Sequence, residues 1–358
     1  MEISRVRRRS EEEEHLRLSP LAAKADESRG RVQPEPPDAI RTAYQRDRDR
    51  VIHSKAFRRL KHKTQVFIAP TGDHYRTRLT HTLEVAQIGR TIARALRLNE
   101  DLVEAISLAH DLGHAPFGHA GEDALREVFD ANYRHNDQSL RIVDYLARDG
   151  QGLNLTYEVR TALTDATPVS ESMSAEGAGQ GTLEGKVQKI SDSIAYINHD
   201  IDDAMRAGII TQADLPPSAV SVLGDNHSAR INSLVCDLVE QNWAVAYPPE
   251  RAILPDIESV QLHFSPQVLQ AADTLKSFLL HHVYIGSAAK ADVDRVHGVI
   301  HALYRHYCDH FDEIPEELAR NPRNEPRERI VADYVAGMTD RFAIEQFSNL
   351  YVPRLWSI

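Results

Sequence analysis

The sequence of 358 residues predicts an all-α protein. Apolar residues in its longer segments recur three and four residues apart, which is the spacing of one helix face. Few stretches show the alternation of apolar and polar residues that half-buried strands require. Hydrophobic residues make up 42% of the chain, enough to bury a sizeable core. Proline and glycine punctuate the apolar segments, as they do where helices end.

Overall composition and short motifs exclude several classes of protein. The chain has 53 acidic and 42 basic residues and a net charge of −11, so nucleic-acid binding would need a local basic patch. Cys236 and Cys308 form no CxxC pair, which excludes a disulfide framework and a thiolate metal site and fits a reducing cytoplasm. The absence of Walker A, GxGxxG and GxSxG motifs argues against P-loop, Rossmann and serine-hydrolase chemistry.

Residues 1–37 are predicted to form a flexible charged tail. A run of arginines precedes Glu11 to Glu14, and prolines 34, 36 and 37 indicate a linker. No apolar run follows the arginines, so we expect neither a signal peptide nor a membrane anchor. A basic arm that contacts a partner or nucleic acid is the alternative.

The basic segment, residues 41–63, combines an apolar helix face with many arginines and lysines. Planar guanidinium groups suit phosphate, so a polyanion is one ligand to expect here. A solvent-exposed helix with its own ion pairs is the equally weighted alternative.

The stretch from 78 to 122 concentrates side chains that can bind metal. Helix interiors seldom hold so many histidines unless a ligand binds them. His110 and Asp111 point about 100° apart on a helix, so they cannot both face an ordinary core. They can reach one ion between helices, with His81 arriving from the neighbouring helix. Imidazole and carboxylate together suit Mn, Fe, Co, Ni or Zn, and Mg less well.

A helix over residues 182–204 offers a fourth ligand. Asp192 lies within its apolar periodicity, where a carboxylate is costly unless it is paired or bound to metal. Tyr196, His199 and Asp200 follow one and two turns later and can line the same pocket. The glycine-rich residues 165–183 before this helix are predicted to be a mobile insertion or a lid.

The C-terminal part gives fewer signals. Residues 268–285 are predicted to form an amphipathic helix on which Lys276 reaches a phosphate or lies at the surface. Residues 329–347 are predicted to form the last helix.

These patterns together resemble the deoxyguanosinetriphosphate triphosphohydrolase-like family of HD-domain phosphohydrolases. The similarity runs from about residue 38 to residue 210 and continues more loosely to the C-terminus. The matching motifs are Phe57-Arg-Arg-Leu60, Lys63-Thr-Gln-Val-Phe67, Arg78-x-Thr-His81, His110-Asp-Leu-Gly-His-Ala-Pro-Phe-Gly-His-Ala-Gly-Glu122, His135-Asn136 with Gln138-Ser139, and Thr182-Leu-Glu-Gly185 with Ala195-Tyr-Ile-Asn-His-Asp200.

The resemblance implies an all-α HD-domain fold with a helical C-terminal extension. Residues 38–210 would form the metal-dependent core, and residues 211–358 a helical part of the same domain. Relatives assemble into tetramers or hexamers, sometimes with a second, activating dNTP site, and these properties are expectations for this chain.

The resemblance also assigns roles to individual residues. The predicted metal ligands are His81, His110, Asp111 and Asp192. The predicted catalytic residues are His114, His119 and Glu122, with His135 nearby. The predicted substrate contacts are Arg78 for phosphate, Gln65 and Val66 for deoxyribose, and Tyr196 and Asp200 for the sugar and its 3′-hydroxyl. Some relatives have a lysine where Ser193 stands, and Lys276 or Arg59 would compensate for it.

The implied reaction converts a dNTP to a deoxynucleoside and tripolyphosphate. The sequence leaves open whether the metal or the His119/Glu122 pair activates the water that attacks the α-phosphorus, or whether imidazole protonates the leaving 5′-oxygen. One alternative is another HD hydrolase, a phosphodiesterase or 5′-nucleotidase, which would not need the sugar contacts. The other is a non-catalytic regulator that binds nucleotide or single-stranded DNA through the basic segment.

Overall fold

The prediction of an all-α fold is confirmed. The computed structural model describes residues 5–65, 76–164, 181–249, 253–284, 287–320 and 323–353, apart from the side chains of residues 258 and 287–291. Within these ranges all regular elements are helices, and β-structure is limited to two isolated bridges. In the same ranges no helix has both the length and the apolar character that a membrane span requires.

The α-helical segments are numbered in chain order. Up to residue 164 they are α1 (Arg5–Arg17), α2 (Ala43–Ile52), α3 (Lys55–Arg59), α4 (Arg78–Ala95), α5 (Glu100–Ala109), α6 (His119–Val128), α7 (His135–Arg141), α8 (Ala147–Gly150) and α9 (Tyr157–Thr164). From residue 181 they are α10 (Leu183–Arg206), α11 (Pro217–Leu223), α12 (His227–Gln241), α13 (Trp243–Ala246), α14 (Pro266–Leu279), α15 (Ser287–Asp309), α16 (Glu316–Ala319), α17 (Arg327–Ala336) and α18 (Asp340–Tyr351). Two π-helical turns follow α7 and α14, at Ile142–Leu146 and Leu280–Tyr284. Short 3₁₀ turns lie at Ala25–Glu27, Leu60–His62, Gln212–Asp214, Ile257–Ser259 and Phe311–Glu313.

The chain divides into two compact units. The first unit comprises Met1–His53, His81–His110 and Asn154–Gly286, and the second comprises Ser54–Thr80, Asp111–Leu153 and Ser287–Ile358. This division does not follow the expected boundaries at residues 37 and 210, because each unit combines segments that are far apart in the sequence.

The core of the first unit is built around α5 and α10. Helix α5 packs against α2, α9 and α10, and α10 packs in turn against α12 and α14. The predicted apolar face of α10, which includes Val187, Ile194 and Ile197, is buried. Thr182 caps this helix, since its hydroxyl accepts a hydrogen bond from the Gly185 N–H at 3.2 Å.

The N-terminal segment differs from the predicted flexible tail. Residues 5–17 form α1, and Leu21 and Ala25 after it are buried in the first unit. The Ser19 backbone N–H donates to the Arg97 carbonyl at 2.7 Å, and its hydroxyl donates to the Val245 carbonyl at 2.5 Å. The prediction failed because charge dominates the sequence here, while only a few apolar residues make the contacts.

The arginines of the basic segment that lie in the first unit are paired with carboxylates. Arg41 contacts Asp38 and Asp49 at 2.8 Å each. Arg48 contacts Asp49 at 3.0 Å and Asp101 at 3.1 Å. These pairs favour the interpretation as an ion-paired helix over a polyanion surface.

The core of the second unit contains residues of α6, α15, α17 and α18, including Leu125, Ile300, Val331 and Ala343. The single last helix predicted over residues 329–347 is two helices, α17 and α18. Thr339 causes the break, because its hydroxyl caps α18 by accepting from the Phe342 N–H at 3.2 Å.

A buried carboxyl group lies at the start of α10. Burial raises the pKa of Glu184 to about 7. The backbone N–H groups of Ala23 and Asn99 donate to its Oε1 at 3.0 and 2.9 Å, which offsets only part of the cost of burying the charge. The pKa of Glu184 is higher in the folded protein than in the unfolded chain. The contribution of the protonated carboxyl group to the free energy of unfolding is therefore complete at low pH and is lost as the pH rises toward 7.

Glu184→Gln is therefore expected to stabilise the protein selectively at alkaline pH. Glutamine keeps the acceptor oxygen without the charge, so at pH 8 the variant should exceed the wild type in free energy of unfolding by roughly 2–3 kcal/mol. Urea denaturation at pH 5 and pH 8 measures this difference. Glu100→Gln, which removes a surface partner of Arg94, is the control. An equal effect of Glu184→Gln at both pH values would contradict the expectation.

Candidate metal centre and active site

Three side chains of the first unit form the metal cluster, His81, His110 and Asp192. His81 lies on α4, His110 ends α5 and Asp192 lies on α10. One ligand atom from each lies within 4.8 Å of the other two. Asp192 Oδ1 is 3.0 Å from His81 Nε2 and 3.7 Å from His110 Nε2. Three of the four predicted metal ligands thus come together in one unit.

The second ring nitrogen of each histidine in this cluster is held. His110 Nδ1 lies 2.6 Å from the Ser107 carbonyl, an acceptor only, so this nitrogen carries the proton. His81 Nδ1 lies 2.8 Å from His199 Nε2. Metal-binding histidines characteristically hold the other ring nitrogen in this way, because it fixes the ring and its tautomer.

His199 links the cluster to a carboxylate. Its Nδ1 lies 2.5 Å from Asp200 Oδ1, although neither atom has a hydrogen-bond partner within the described residues. The contact between His81 Nδ1 and His199 Nε2 requires one of the two nitrogens to donate. When His81 Nδ1 is the donor, the lone pair of His81 Nε2 faces Asp192. The Tyr284 hydroxyl donates to Asp200 Oδ2. Burial first, and then the adjacent Asp200, raise the pKa of Tyr284 well above its ordinary value.

The positioning role of His199 was not predicted from the sequence. The residue is fully buried on the same α10 that carries Asp192. Two helical turns separate residues 192 and 199, which puts both on one helix face. That spacing placed His199 in the predicted pocket, whereas its contact with His81 depends on a residue of α4.

The histidine–glutamate cluster lies in the second unit. One ligand atom from each member lies within 4.8 Å of the others, and the members are His114, His119, Glu122 and His135. Glu122 Oε2 is 2.8 Å from His135 Nδ1 and 3.7 Å from His119 Nδ1. The His114 and His135 rings stack with their centroids 3.8 Å apart. All four predicted catalytic residues are therefore neighbours.

Charge states within this cluster differ from one member to another. Burial raises the pKa of Glu122, but the nearby His119 and the hydrogen bond and charge of His135 outweigh it and hold the pKa well below its ordinary value. Burial and the nearby Arg78 lower the pKa of His114 well below its usual range. Glu122 is thus an anion and His114 a neutral imidazole near neutral pH. His119, whose side chain is 74% exposed, is the member best placed to exchange protons with a ligand.

Two glycines allow the close packing around this cluster. A Cβ on Gly113 would lie 2.2 Å from the His135 carbonyl oxygen, so only glycine lets the loop approach α7. Gly118 has φ +62°, and a Cβ there would lie 2.6 Å from Arg78 Nη2. The motif that leads into α6 therefore requires glycine at both positions.

The loop that carries His114 is also tied to distant parts of the second unit. The Lys63 ammonium donates to the His114 carbonyl and, at 3.0 Å, to the Ala336 carbonyl. Asp340 accepts from the Phe117 N–H at 2.8 Å and from the Thr64 hydroxyl at 2.7 Å. These contacts give Lys63 a structural role that the sequence did not indicate.

Arg78 is a buried guanidinium with unused donors. It is 1% exposed, and its Nη1 donates to Asp111 Oδ2 at 2.9 Å. Its Nε and Nη2 are buried and have no hydrogen-bond partner within the described residues. Unsatisfied donors on a buried cation are costly, so an anionic ligand is the natural partner.

Two other predicted substrate contacts share this property. Gln65 Oε1 in the second unit and the Tyr196 hydroxyl in the first unit are buried without a hydrogen-bond partner among the residues that are described. Val66 lies outside the described residues, as do residues 165–180 of the predicted insertion.

The remaining predicted contacts are less distinctive. Lys276 is half-buried on α14, and burial lowers its pKa. Arg59 ends α3 and is exposed. Asp111 belongs to the second unit, where its carboxylate receives Arg78 and lies 3.2 Å from His114 Nε2. Its role as a metal ligand stays a prediction.

The donor sets favour the metal cluster of the first unit as the metal site. There, each histidine has its second nitrogen held and turns Nε2 toward a carboxylate. In the histidine–glutamate cluster, Glu122 Oε1 already receives the Arg126 guanidinium at 2.5 Å, and a fixed cation disfavours a second one. The residues of the metal cluster thus fit a divalent ion.

Comparisons with known proteins first define the class. Residues 78–197 match the HD domain, and residues 262–349 match the phosphohydrolase-associated domain. The helical fold, the metal cluster and these matches define a metal-dependent phosphohydrolase of the HD-domain class. The expected HD-domain fold with a helical C-terminal region is confirmed.

Full-length relatives then define the family. A deoxyguanosinetriphosphate triphosphohydrolase-like protein from Caldanaerobacter subterraneus is 49% identical over 352 residues, which cover 98% of this chain and 97% of the relative. Proteins of the same name from Desulfatibacillum aliphaticivorans and Clostridium tetani are each 42% identical, over 97% and 98% of this chain and 98% and 97% of the relatives. The chain belongs to the deoxyguanosinetriphosphate triphosphohydrolase-like family.

His199→Ala is expected to weaken metal binding although it removes no ligand. Without its hydrogen-bond partner, His81 loses the contact that orients its ring, so the affinity for Mn²⁺ should fall by about 10- to 100-fold. Titration calorimetry of the folded variants measures this change. His227→Ala removes a histidine that pairs with Asp202 at 3.1 Å and serves as the control. Equal affinities of wild type and His199→Ala would rule out the positioning role.

Proposed function

We propose that the protein is a dNTP triphosphohydrolase, which hydrolyses a dNTP at the α-phosphorus to a deoxynucleoside and tripolyphosphate. Relatives that match nearly the whole chain carry the name deoxyguanosinetriphosphate triphosphohydrolase-like protein, and this name supports the reaction type. Tetrameric or hexameric assembly, activation by a second dNTP, a cytoplasmic location and single-stranded DNA binding stay predictions.

The observation that carries the proposal is the set of buried polar atoms without partners. Arg78 Nε and Nη2, Gln65 Oε1 and the Tyr196 hydroxyl were all predicted to contact substrate, and all lack a hydrogen-bond partner within the described residues. In the second unit, the two Arg78 nitrogens offer donors for a phosphate and Gln65 Oε1 offers an acceptor for a sugar or base. A nucleotide carries both kinds of group. In the first unit, the Tyr196 hydroxyl offers a hydrogen-bonding group for a sugar or base.

The reaction forms a bond between water oxygen and the α-phosphorus and breaks the bond from phosphorus to the 5′-oxygen. A bound divalent ion would stabilise negative charge on the phosphoryl oxygens. Arg78 would neutralise further charge, and its pairing with Asp111 holds it in place. His119 would transfer the proton from the water to the leaving 5′-oxygen, and the Glu122 carboxylate would stabilise the imidazolium that forms.

A product analysis tests this proposal. The purified protein is given each dNTP and rNTP with Mn²⁺ or Mg²⁺, alone and in mixtures, and products are separated by ion exchange. In ¹⁸O-labelled water, the expected products are unlabelled deoxynucleoside and singly labelled tripolyphosphate. Release of orthophosphate or pyrophosphate would instead support another HD hydrolase, and no turnover with any mixture would support a regulator.

Two kinds of variant should separate metal binding from proton transfer. His110→Ala and Asp111→Ala are expected to lose bound metal and turnover, because both remove predicted ligands. His119→Ala should retain metal at the metal cluster and lose turnover by about 100-fold or more. Metal analysis and steady-state rates of the same preparations measure both, with His15→Ala at the surface as the control. A His119→Ala protein with the wild-type rate would remove this residue from the mechanism.

A further inference from the structure

A third group of metal-binding side chains lies in the second unit, apart from the predicted site residues. We name it the α6–α15 cluster, and it consists of Glu127, His297 and His301. One ligand atom from each lies within 4.8 Å of the others. Glu127 Oε1 is 3.3 Å from His297 Nδ1, and Glu127 Oε2 is 3.1 Å from His301 Nε2.

The geometry of two packed helices brings these side chains together. His297 and His301 are one turn apart on α15, so their rings lie on the same helix face, with centroids 5.7 Å apart. Helix α6 packs against this part of the second unit through contacts with α15 and supplies Glu127. Both histidine side chains are mostly buried, at 21% and 23% exposure.

An ion pair alone accounts poorly for this arrangement. To form ion pairs with Glu127, both histidines would have to be protonated, and two mostly buried imidazolium rings would repel each other. His301 Nε2 faces Glu127 Oε2 at 3.1 Å, yet it is buried without a hydrogen-bond partner among the residues described. Two neutral imidazoles and one carboxylate are instead a common ligand set for Zn²⁺ and similar ions, with water completing the coordination.

We propose that the α6–α15 cluster is a second divalent-metal site, of the class that binds Zn²⁺, Co²⁺ or Ni²⁺. The ion would link α6 to α15. Because α6 also begins with His119 and carries Glu122 in its first turn, the ion would stabilise the helix that presents these two residues. This inference does not depend on which phosphate ester is the substrate.

Zinc stoichiometry tests the second site. Metal-free wild type, His297→Ala/His301→Ala and Glu127→Gln are titrated with Zn²⁺ alone, and bound ions per chain are counted after equilibrium dialysis. The double variant should bind one ion fewer than the wild type, and Glu127→Gln should bind that ion at least about tenfold more weakly. The same loss of one ion should appear when the double substitution is added to His110→Ala, because the two sites are independent.

The chain offers a matched control on the same helix. His306 and His310 are also one turn apart on α15, and their rings stack 4.4 Å apart, but they do not form a three-ligand cluster in the described part of the chain. His306→Ala/His310→Ala should leave the zinc count unchanged. Zn²⁺ should also raise the melting temperature of His110→Ala, and this rise should vanish in the triple variant. An unchanged zinc count in the His297→Ala/His301→Ala protein would overturn the proposal. This test compares the double variant with the wild type, so it does not require His110→Ala to fold.

Discussion

The orientation of His81 depends on its contacts with two residues of one helix, His199 and Asp192. His81 Nδ1 lies 2.8 Å from His199 Nε2, and His81 Nε2 lies 3.0 Å from Asp192 Oδ1. Both partners lie on α10, so this helix supplies one predicted ligand and the residue that contacts another predicted ligand. His81 is 1% exposed, so its contact with His199 satisfies a ring nitrogen that water does not reach.

The second unit follows a similar principle with different groups. Its acid–base side chains lie around a loop whose backbone is held by Lys63 and Asp340, and whose glycines permit contacts that a Cβ would block. Glu122 remains an anion despite burial because two histidines and Arg126 surround it. In the proposed reaction, these backbone contacts would hold the loop beside His119, and small displacements of a group that transfers a proton lower the rate steeply.

Much of the site was predictable because its residues are close in sequence or follow helix periodicity. The density of histidines between residues 110 and 122, and the place of Asp192 within an apolar face, marked these residues in the sequence, and the family resemblance supplied their roles. The contact of His199 with His81, the role of Lys63 and the α6–α15 cluster were not predicted, because they depend on contacts between segments far apart in the chain. The N-terminal segment differs from the prediction for a related reason. Its few apolar residues, such as Leu21 and Ala25, are buried against the first unit, although most of the segment is charged. Periodicity shows which face of a helix is buried, but it does not show which helix covers that face.

The central claim is that the metal cluster, and not the histidine–glutamate cluster, holds the metal of the HD domain, and anomalous diffraction tests this claim most directly. Crystals of the wild-type protein are soaked in Mn²⁺, and data are collected on both sides of the manganese absorption edge. The account predicts an anomalous peak within coordination distance of His81 Nε2, His110 Nε2 and Asp192. A peak among His114, His119, Glu122 and His135, with none at His81, would contradict it and would make those residues ligands rather than acid–base groups.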